Sequence, residues 1–329
     1  MKNNKPIFSV KNVVMDFNAG NNFLLGKKKK IRALNDISFD LFPGESLAIV
    51  GESGCGKSTI CRIAMKFYEP TAGTMTFADK DIHKLKGKAL KEYRQKAQMI
   101  FQDPFSSLNP LHNIYYHLER PMKLYHNYNA KERKAKMDEY LEMVGLTPAS
   151  EQGAKYPHQL SGGQKQRAYL ARILAVGSDV IFADEPTSML DVSIRLGVLN
   201  LMNQMKKELN KSFIYITHDI ATARYFADRI IVLYSGHMVE YGEVNEVILN
   251  PKHPYTKLLI AAAPDPEREG VVELPVIRND EGEVSSWSPD SKGCPFYKRC
   301  PVSTKECASE FPPEKQVGAN QFVRCIHEK

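Results

Sequence analysis

The chain has 329 residues, 43% hydrophobic and 25% charged, with a formal net charge of +7. This is the composition of a soluble globular protein of one large or two small domains, and no apolar run approaches the roughly 20 residues a membrane helix needs. The positive charge is spread, and no zinc finger, RNP-type motif or basic–aromatic stripe accompanies it, so nucleic acid is not an expected partner. Its local clusters are Lys27–Lys30 and a basic stretch near Lys131–Lys134. The four lysines read as a solvated loop tip, with anionic lipid as the alternative contact. The N-terminus, Met1-Lys-Asn-Asn-Lys-Pro6, has charge with no apolar core behind it and does not read as a signal peptide.

In chain order, Phe8–Phe17 is a first strand region, followed by an insert from Asn18 to Lys30. Ile37–Leu41 alternates as a half-buried strand, Pro43-Gly44 is a turn, and Leu47-Ala-Ile-Val50 is a short apolar strand. The next residues, Gly51-Glu-Ser-Gly-Cys-Gly-Lys-Ser58, fit G-x-x-x-x-G-K-[ST]. Glycines let the backbone curl so that N–H groups point at phosphate oxygens, and a helix beginning near Lys57 adds positive potential. Gly51, Glu52, Ser53, Gly54, Cys55, Gly56, Lys57, Ser58 and Thr59 are thus candidate nucleotide-binding residues. Lys57 is placed to reach the β and γ phosphates, and the Ser58 hydroxyl to ligate Mg²⁺. Gln98–Gln102 is a strand ending in Gln102. From Pro104 to Gln159 the pattern is helical, in Tyr115–Leu124 and Ala130–Val144, with no strand-like run.

Leu160-Ser-Gly-Gly-Gln164 precedes another helical pattern. The Ser161 hydroxyl and the backbone of Gly162 and Gly163 make a second anion-binding helix start. Nothing else in the chain needs a second phosphate cradle, so it is expected to serve a nucleotide held by another copy. Val180-Ile-Phe-Ala-Asp-Glu-Pro186 brings two carboxylates to a strand end. Asp184 is placed to hold Mg²⁺ through water, and Glu185 to polarise an attacking water. A helix over Val192–Leu209, a strand over Phe213–Thr217, a helix over Ile220–Phe226 and a strand over Ile230–Tyr234 argue for a parallel α/β sheet. Gly236 and Gly242 bracket a final hairpin strand, Met238–Tyr241.

Past Pro264 the chain turns polar, with a linker at Pro264–Gly270 and a turn-rich stretch over Ile277–Asp290. Of six cysteines, Cys55 fills a variable P-loop position and Cys61 lies in the following helix; Cys294, Cys300, Cys307 and Cys325 fall in the last 40 residues. Their spacing is not the paired C-x2-C usual for zinc, but four thiolates can serve one metal centre.

The Ser161–Gln164 segment resembles the signature motif of ABC-transporter ATPases. The resemblance implies that two ATPase domains pack head to tail, the P-loop of one and Ser161, Gly162, Gly163 and Gln164 of the other clamping one ATP. It implies that Gln102 is the Q-loop glutamine, contacting Mg²⁺ and water, that His218 contacts the γ-phosphate, and that Ser188-Met-Leu-Asp191 is the D-loop, with Met189 where the family usually has alanine. Phe17 becomes the candidate for stacking on adenine. Asp103–Pro110, His253-Pro-Tyr-Thr256 and the cysteine-bearing region resemble the oligopeptide and dipeptide importer ATPases. In some members that region binds a [4Fe–4S] cluster with four cysteine ligands, which makes Cys294, Cys300, Cys307 and Cys325 the candidate ligands here.

The implied fold is an α/β P-loop NTPase core with an antiparallel β subdomain, a helical subdomain at about 104–160, and a small irregular Cys-rich extension. The implied domains are residues 1–264 and 265–329. The implied activity is ATP hydrolysis with Mg²⁺, with Glu185, His218, Lys57 and Gln102 as catalytic residues. Partners implied are two integral-membrane permease subunits, a second ATPase subunit and, indirectly, an extracellular solute-binding protein, with this chain peripheral at the cytoplasmic face of the cell membrane. Import of nickel or oligosaccharide, or a non-transport ABC ATPase, are the alternatives.

Overall fold

The computed structural model describes residues 5–19, 29–103, 107–263 and 287–328. The chain forms two compact units, Met1–Lys84 with Ile214–Lys329, and Leu85–Phe213.

The first unit begins with β1 (Phe8–Ala19) and β2 (Lys29–Leu41), an antiparallel pair. Phe8 and Val10 of β1 are buried, and so are Val13 and Met15. The inward parity therefore changes within one strand. The register shifts between Val10 and Val13, where Asn12 takes φ 50°, and this bulge lets an irregular apolar sequence keep facing the core. β3 (Ser46–Val50) is wholly buried, as its apolar run Leu47–Val50 requires, and leads through the P-loop into α1 (Lys57–Ala64). β4 (Ala72–Phe77) and β5 (Lys80–Asp81) complete a sheet of order β2-β1-β4-β5.

The second unit holds α2 (Gly87–Lys96), β6 (Ala97–Ile100), α3 (Ile114–Tyr125), α4 (Ala130–Met143), α5 (Ala149–Ala154), α6 (Gly162–Val176), β7 (Val180–Asp184) and α7 (Val192–Leu209). β6 and β7 pair in parallel, Ala97 opposite Val180. Asn113 caps α3, and Asn129 with Glu132 forms a capping box on α4. α6 ends at Gly177 in the left-handed region, φ 81°. This unit is larger than the helical stretch expected at about 104–160, because it also takes in β6, β7, α6 and α7. β6 stops at Ile100, so Gln102 lies beyond the strand end rather than on it.

The chain returns to the first unit through β8 (Ser212–Thr217), buried at every position. α8 (Ile220–Phe226), β9 (Arg229–Tyr234), β10 (His237–Glu243), α9 (Val244–Leu249) and α10 (Pro254–Ala261) follow. α11 (Lys305–Ser309), β11 (Lys315–Gln316) and β12 (Gln321–Val323) lie in the C-terminal segment. Within this unit the strands run β11-β12-β10-β9-β3, and β3 pairs with β9 in parallel.

β10 is therefore not the last strand. β12 adds to its edge, with Glu240 opposite Val323. The buried Glu240 carboxylate accepts from the backbone N–H of Lys252 and His253 and from Gln321 Nε2, at 2.9, 2.9 and 2.7 Å. Polar as its sequence is, this segment has few apolar residues of its own. It instead shares the core of the first unit: Phe296 is 1% exposed and packs against Tyr234 and Tyr255. The expected linker at 264–270, and with it the 264/265 boundary, lies outside the described residues, as do most of the Asn18–Lys30 insert and the greater part of Ile277–Asp290.

Candidate nucleotide site

In the first unit the loop after β3 has the backbone its glycines allow. Gly54 and Gly56 sit at φ 81° and 107°, and Gly56 forms the left-handed N-cap of α1. A Cβ on Gly56 would stand 2.5 Å from the Ala33 carbonyl oxygen, and one on Gly51 would stand 2.1 Å from that of Leu233. A Cβ on Gly54 would meet nothing within 4 Å, so the loop is closed behind and open in front. Lys57 is 5% exposed, and its Nζ donates to the carbonyl oxygens of Gly51 and Glu52 at 2.6 and 2.8 Å. The ammonium thus spans the mouth of the loop it belongs to. Cys55 is buried, and burial pushes its thiol pKa up, so it packs rather than reacts. Ser58 and Thr59 are half-buried in the first turn of α1.

His218, also in this unit, is exposed just after β8. Its neighbour Asp219 caps α8, accepting from the N–H groups of Ala221 and Thr222. Phe17 is half-buried and meets Tyr68 edge-on at 5.4 Å between ring centroids.

In the second unit, Asp184 closes β7 and is 5% exposed. Glu185 follows at φ 47°, a left-handed conformation that a non-glycine residue adopts at a cost of order 1–3 kcal/mol. The turn holds it there: Ser188 donates to the Glu185 carbonyl through its N–H at 3.2 Å and its hydroxyl at 3.0 Å. The carboxylate accepts from Gln102 Nε2 at 3.2 Å. The structure therefore brings Gln102 and Glu185 together across 83 residues of sequence.

Ser161 caps α6 and exchanges hydrogen bonds with Gln164 in a capping box. Ser161 and Gly162 are exposed at the helix start, but Gly163 is buried, and a Cβ there would come within 2.7 Å of Ile194 on α7. Close packing explains the glycine at 163, and capping explains Gln164. Buried Gln166 donates to the Pro186 carbonyl at 2.9 Å, and the Tyr169 hydroxyl to that of Met99 at 2.7 Å, which fixes α6 against the loops bearing Glu185 and Gln102. Sequence reading missed both, since each looks like an ordinary helix residue. Met189 is 57% exposed.

Cys294, Cys300, Cys307 and Cys325 come into one neighbourhood. Burial, and then the neighbouring thiols, push Cys294 up to about 12 and Cys325 up to about 11. The N–H of Cys294 donates to the Cys307 carbonyl at 2.7 Å. Among the described residues no group of three or more His, Cys, Asp or Glu stands at metal-binding spacing.

Residues 34–188 match the ABC transporter family, and residues 239–307 match the oligopeptide/dipeptide transporter C-terminal region. The oligopeptide transport ATP-binding protein AppF of Bacillus subtilis (strain 168) is 39% identical, over 98% of this chain and 98% of its own. OppF of Haemophilus influenzae, also an oligopeptide transport ATP-binding protein, is 39% identical over 99% and 98%. Among solved structures, the dimeric ATP-binding cassette MJ0796, in a post-hydrolysis state bound to ADP and Pi, superposes with a TM-score of 0.62 at 30% identity, covering 72% of this chain and 98% of that one. CbiO1 of Clostridium perfringens, part of an ABC transporter complex, gives 0.63 at 27% identity, over 74% and 91%. With a glycine cradle, a Gln102–Glu185 pair, a capped signature helix and likeness along nearly its whole length, the chain belongs to the ATP-binding proteins of oligopeptide/dipeptide ABC transporters and is an ATPase.

Proposed function

We propose that this chain energises the import of short peptides through two separate permease subunits, working from the cytoplasmic face of the membrane as one half of an ATPase dimer. The observation that carries the reading is the C-terminal match at residues 239–307, beyond the cassette common to all ABC ATPases. No helix among the described residues is long and apolar enough to cross a membrane, which agrees with passage supplied by other chains.

In this reading Lys57 leaves its own loop carbonyls to meet the β and γ phosphates, an exchange its position across the loop favours. Glu185 accepts a proton from the attacking water, with Gln102 orienting its carboxylate and His218 contacting the γ-phosphate. Ser161 and Gly162 present a capped helix start to the nucleotide of the partner subunit. Phe17 stacks on adenine. Ser58, Gln102 and Asp184 supply oxygen donors of the kind Mg²⁺ takes. The chemistry a bound Mg²⁺ adds is neutralisation of charge on the β and γ oxygens.

The four C-terminal cysteines have the donor chemistry of a Cys₄ centre, and the reading extends to an iron–sulfur cluster held by Cys294, Cys300, Cys307 and Cys325, whose ligation would have to draw protons from thiols that burial keeps protonated. Anaerobically purified protein then carries iron, which Cys300→Ser removes. Protein with neither iron nor zinc returns the four residues to packing thiols.

The test of function is reconstitution with the cognate permeases and solute-binding protein in liposomes. Short peptides should stimulate ATP hydrolysis and accumulate inside. Stimulation by nickel or an oligosaccharide, with peptides inert, would overturn the peptide assignment.

A further inference from the structure

Glu52 is an acidic residue inside a loop built for anions. It stands at the second position of the P-loop, five residues before Lys57. A carboxylate there opposes the charge of a triphosphate unless something neutralises it. The structure supplies the counter-charge from 247 residues away: Arg299 Nη1 and Nη2 donate to the two carboxylate oxygens of Glu52 at 2.8 and 3.0 Å. The geometry is a two-pronged fork, which fixes orientation as well as charge. The pair is about a quarter exposed, 25% for Arg299 and 29% for Glu52, so solvent screens it only in part.

Arg299 is itself held. Its Nη1 donates to the Tyr234 hydroxyl at 3.3 Å, and the guanidinium lies 5.8 Å from the ring centres of both Tyr234 and Phe296. The same aromatic cluster includes Tyr255, whose hydroxyl accepts from the Glu52 backbone N–H at 2.8 Å. Side chain and backbone of Glu52 are thus both fixed from the C-terminal half of the first unit, and Arg299 directly precedes Cys300.

We propose that Arg299 is a positioning residue for nucleotide binding: it neutralises Glu52 and holds the P-loop in its phosphate-accepting form, so that the Cys-rich C-terminal segment sets the affinity for MgATP. The proposal rests on the reading of Gly51–Ser58 as the phosphate cradle. Its consequence is a one-sided effect. Loss of Arg299 leaves an uncompensated carboxylate beside the phosphates and weakens binding, while the groups that act on the attacking water are untouched.

The experiment titrates full-length protein with the non-hydrolysable analogue AMP-PNP and Mg²⁺, and measures steady-state hydrolysis across ATP concentrations. Arg299→Ala should raise Kd and KM about tenfold, equivalent to about 1.4 kcal/mol, with kcat at saturation within about twofold of wild type. Arg299→Lys, which keeps the charge and loses the fork, should fall between, at about threefold. Glu52→Gln combined with Arg299→Ala should recover Kd to within about twofold of wild type, because no carboxylate is left to neutralise. A purely architectural arginine would give no such recovery. Arg324→Gln serves as control, since Arg324 lies in the same segment but pairs with Glu314 and stacks on Phe311. It should leave Kd within about twofold. Lys57→Ala, run alongside, separates the two readings: wild-type affinity there means the cradle is misassigned. Weak binding by Lys57→Ala with wild-type affinity in Arg299→Ala overturns the present proposal alone. So does a double variant as weak as Arg299→Ala. If Arg299→Ala is recovered only unfolded, the Arg299→Lys and double variants carry the comparison.

Discussion

Acid should lower the folding stability of this protein through one buried histidine. His237 is 1% exposed, and burial pulls its pKa down from 6.5 to about 4. Its hydrogen bonds fit the neutral ring: Nδ1–H donates to the Ser235 carbonyl at 2.8 Å, and Nε2 accepts from Asn35 Nδ2 at 2.9 Å. A second proton on Nε2 would face a donor. Arg324 and Arg32 press the pKa the same way, against Asp36 and the Ser235 carbonyl. Below 6.5 the unfolded chain binds this proton and the folded one, down to about 4, does not, so folding stability falls as pH falls through that window. At pH 5 the loss is about 2 kcal/mol, and by pH 4 about 3 kcal/mol, at 1.36 kcal/mol for each pH unit. Buried His253, at about 3, acts in the same sense, whereas Glu240 and Glu45, raised by burial, act in the opposite one. The measurable quantity is therefore a difference between wild type and His237→Gln, in which the other groups cancel. The sole tryptophan, Trp287, meets His237 at 4.8 Å between ring centroids and reports on this corner by fluorescence. Denaturant unfolding at pH 7.5 and 5.0 should show a stability loss about 2 kcal/mol smaller in His237→Gln than in wild type. Equal acid losses in the two proteins would refute the buried neutral histidine.

Glu185→Gln should keep AMP-PNP binding and lower steady-state hydrolysis by about 10²–10⁴-fold, the range of a general base; hydrolysis by the assembled complex at the wild-type rate would remove Glu185 from that role. Lys57→Ala should weaken equilibrium binding of AMP-PNP itself, since the cation across the loop is lost, and wild-type affinity would contradict the cradle. Gly56→Ala should lower the thermal midpoint and nucleotide affinity together, because a Cβ would stand 2.5 Å from the Ala33 carbonyl oxygen at φ 107°; a folded variant with wild-type affinity would show that the loop has another conformation available. A mixed dimer with Lys57→Ala in one subunit and Gly162→Asp in the other concentrates both lesions in one composite site if the signature acts across the interface. Half-maximal nucleotide trapping is then expected, and none at all would favour action within one subunit.

The parts of this protein that were legible in the sequence are those whose physics is local. A four-residue apolar run bounded by a turn and a glycine loop makes β3, and the same logic places β7, β8 and the helices at Val192–Leu209 and Ile220–Phe226 where the structure has them. The P-loop could be read because positive φ selects glycine at fixed spacing. Gln102 and Glu185 could be named but not paired: one hydrogen bond across 83 residues leaves no trace in either neighbourhood. Likewise, nothing near Gly163 announces Ile194, which a Cβ at that glycine would approach to 2.7 Å.

The C-terminal segment shows the limit most clearly. Judged by itself it has too few apolar residues for a core, and four cysteines invite a metal as the missing cross-link. That argument assumes the segment must be stable alone. The structure removes the assumption: Phe296 completes an aromatic cluster with Tyr234 and Tyr255, Val323 is fully buried on the edge of β10, and Glu240 takes three hydrogen bonds, two from the turn into α10 and one from Gln321. These contacts tie the segment into the first unit through protein groups alone. The role of a metal held by the cysteines has to be sought in what the segment touches, which includes Glu52 of the P-loop.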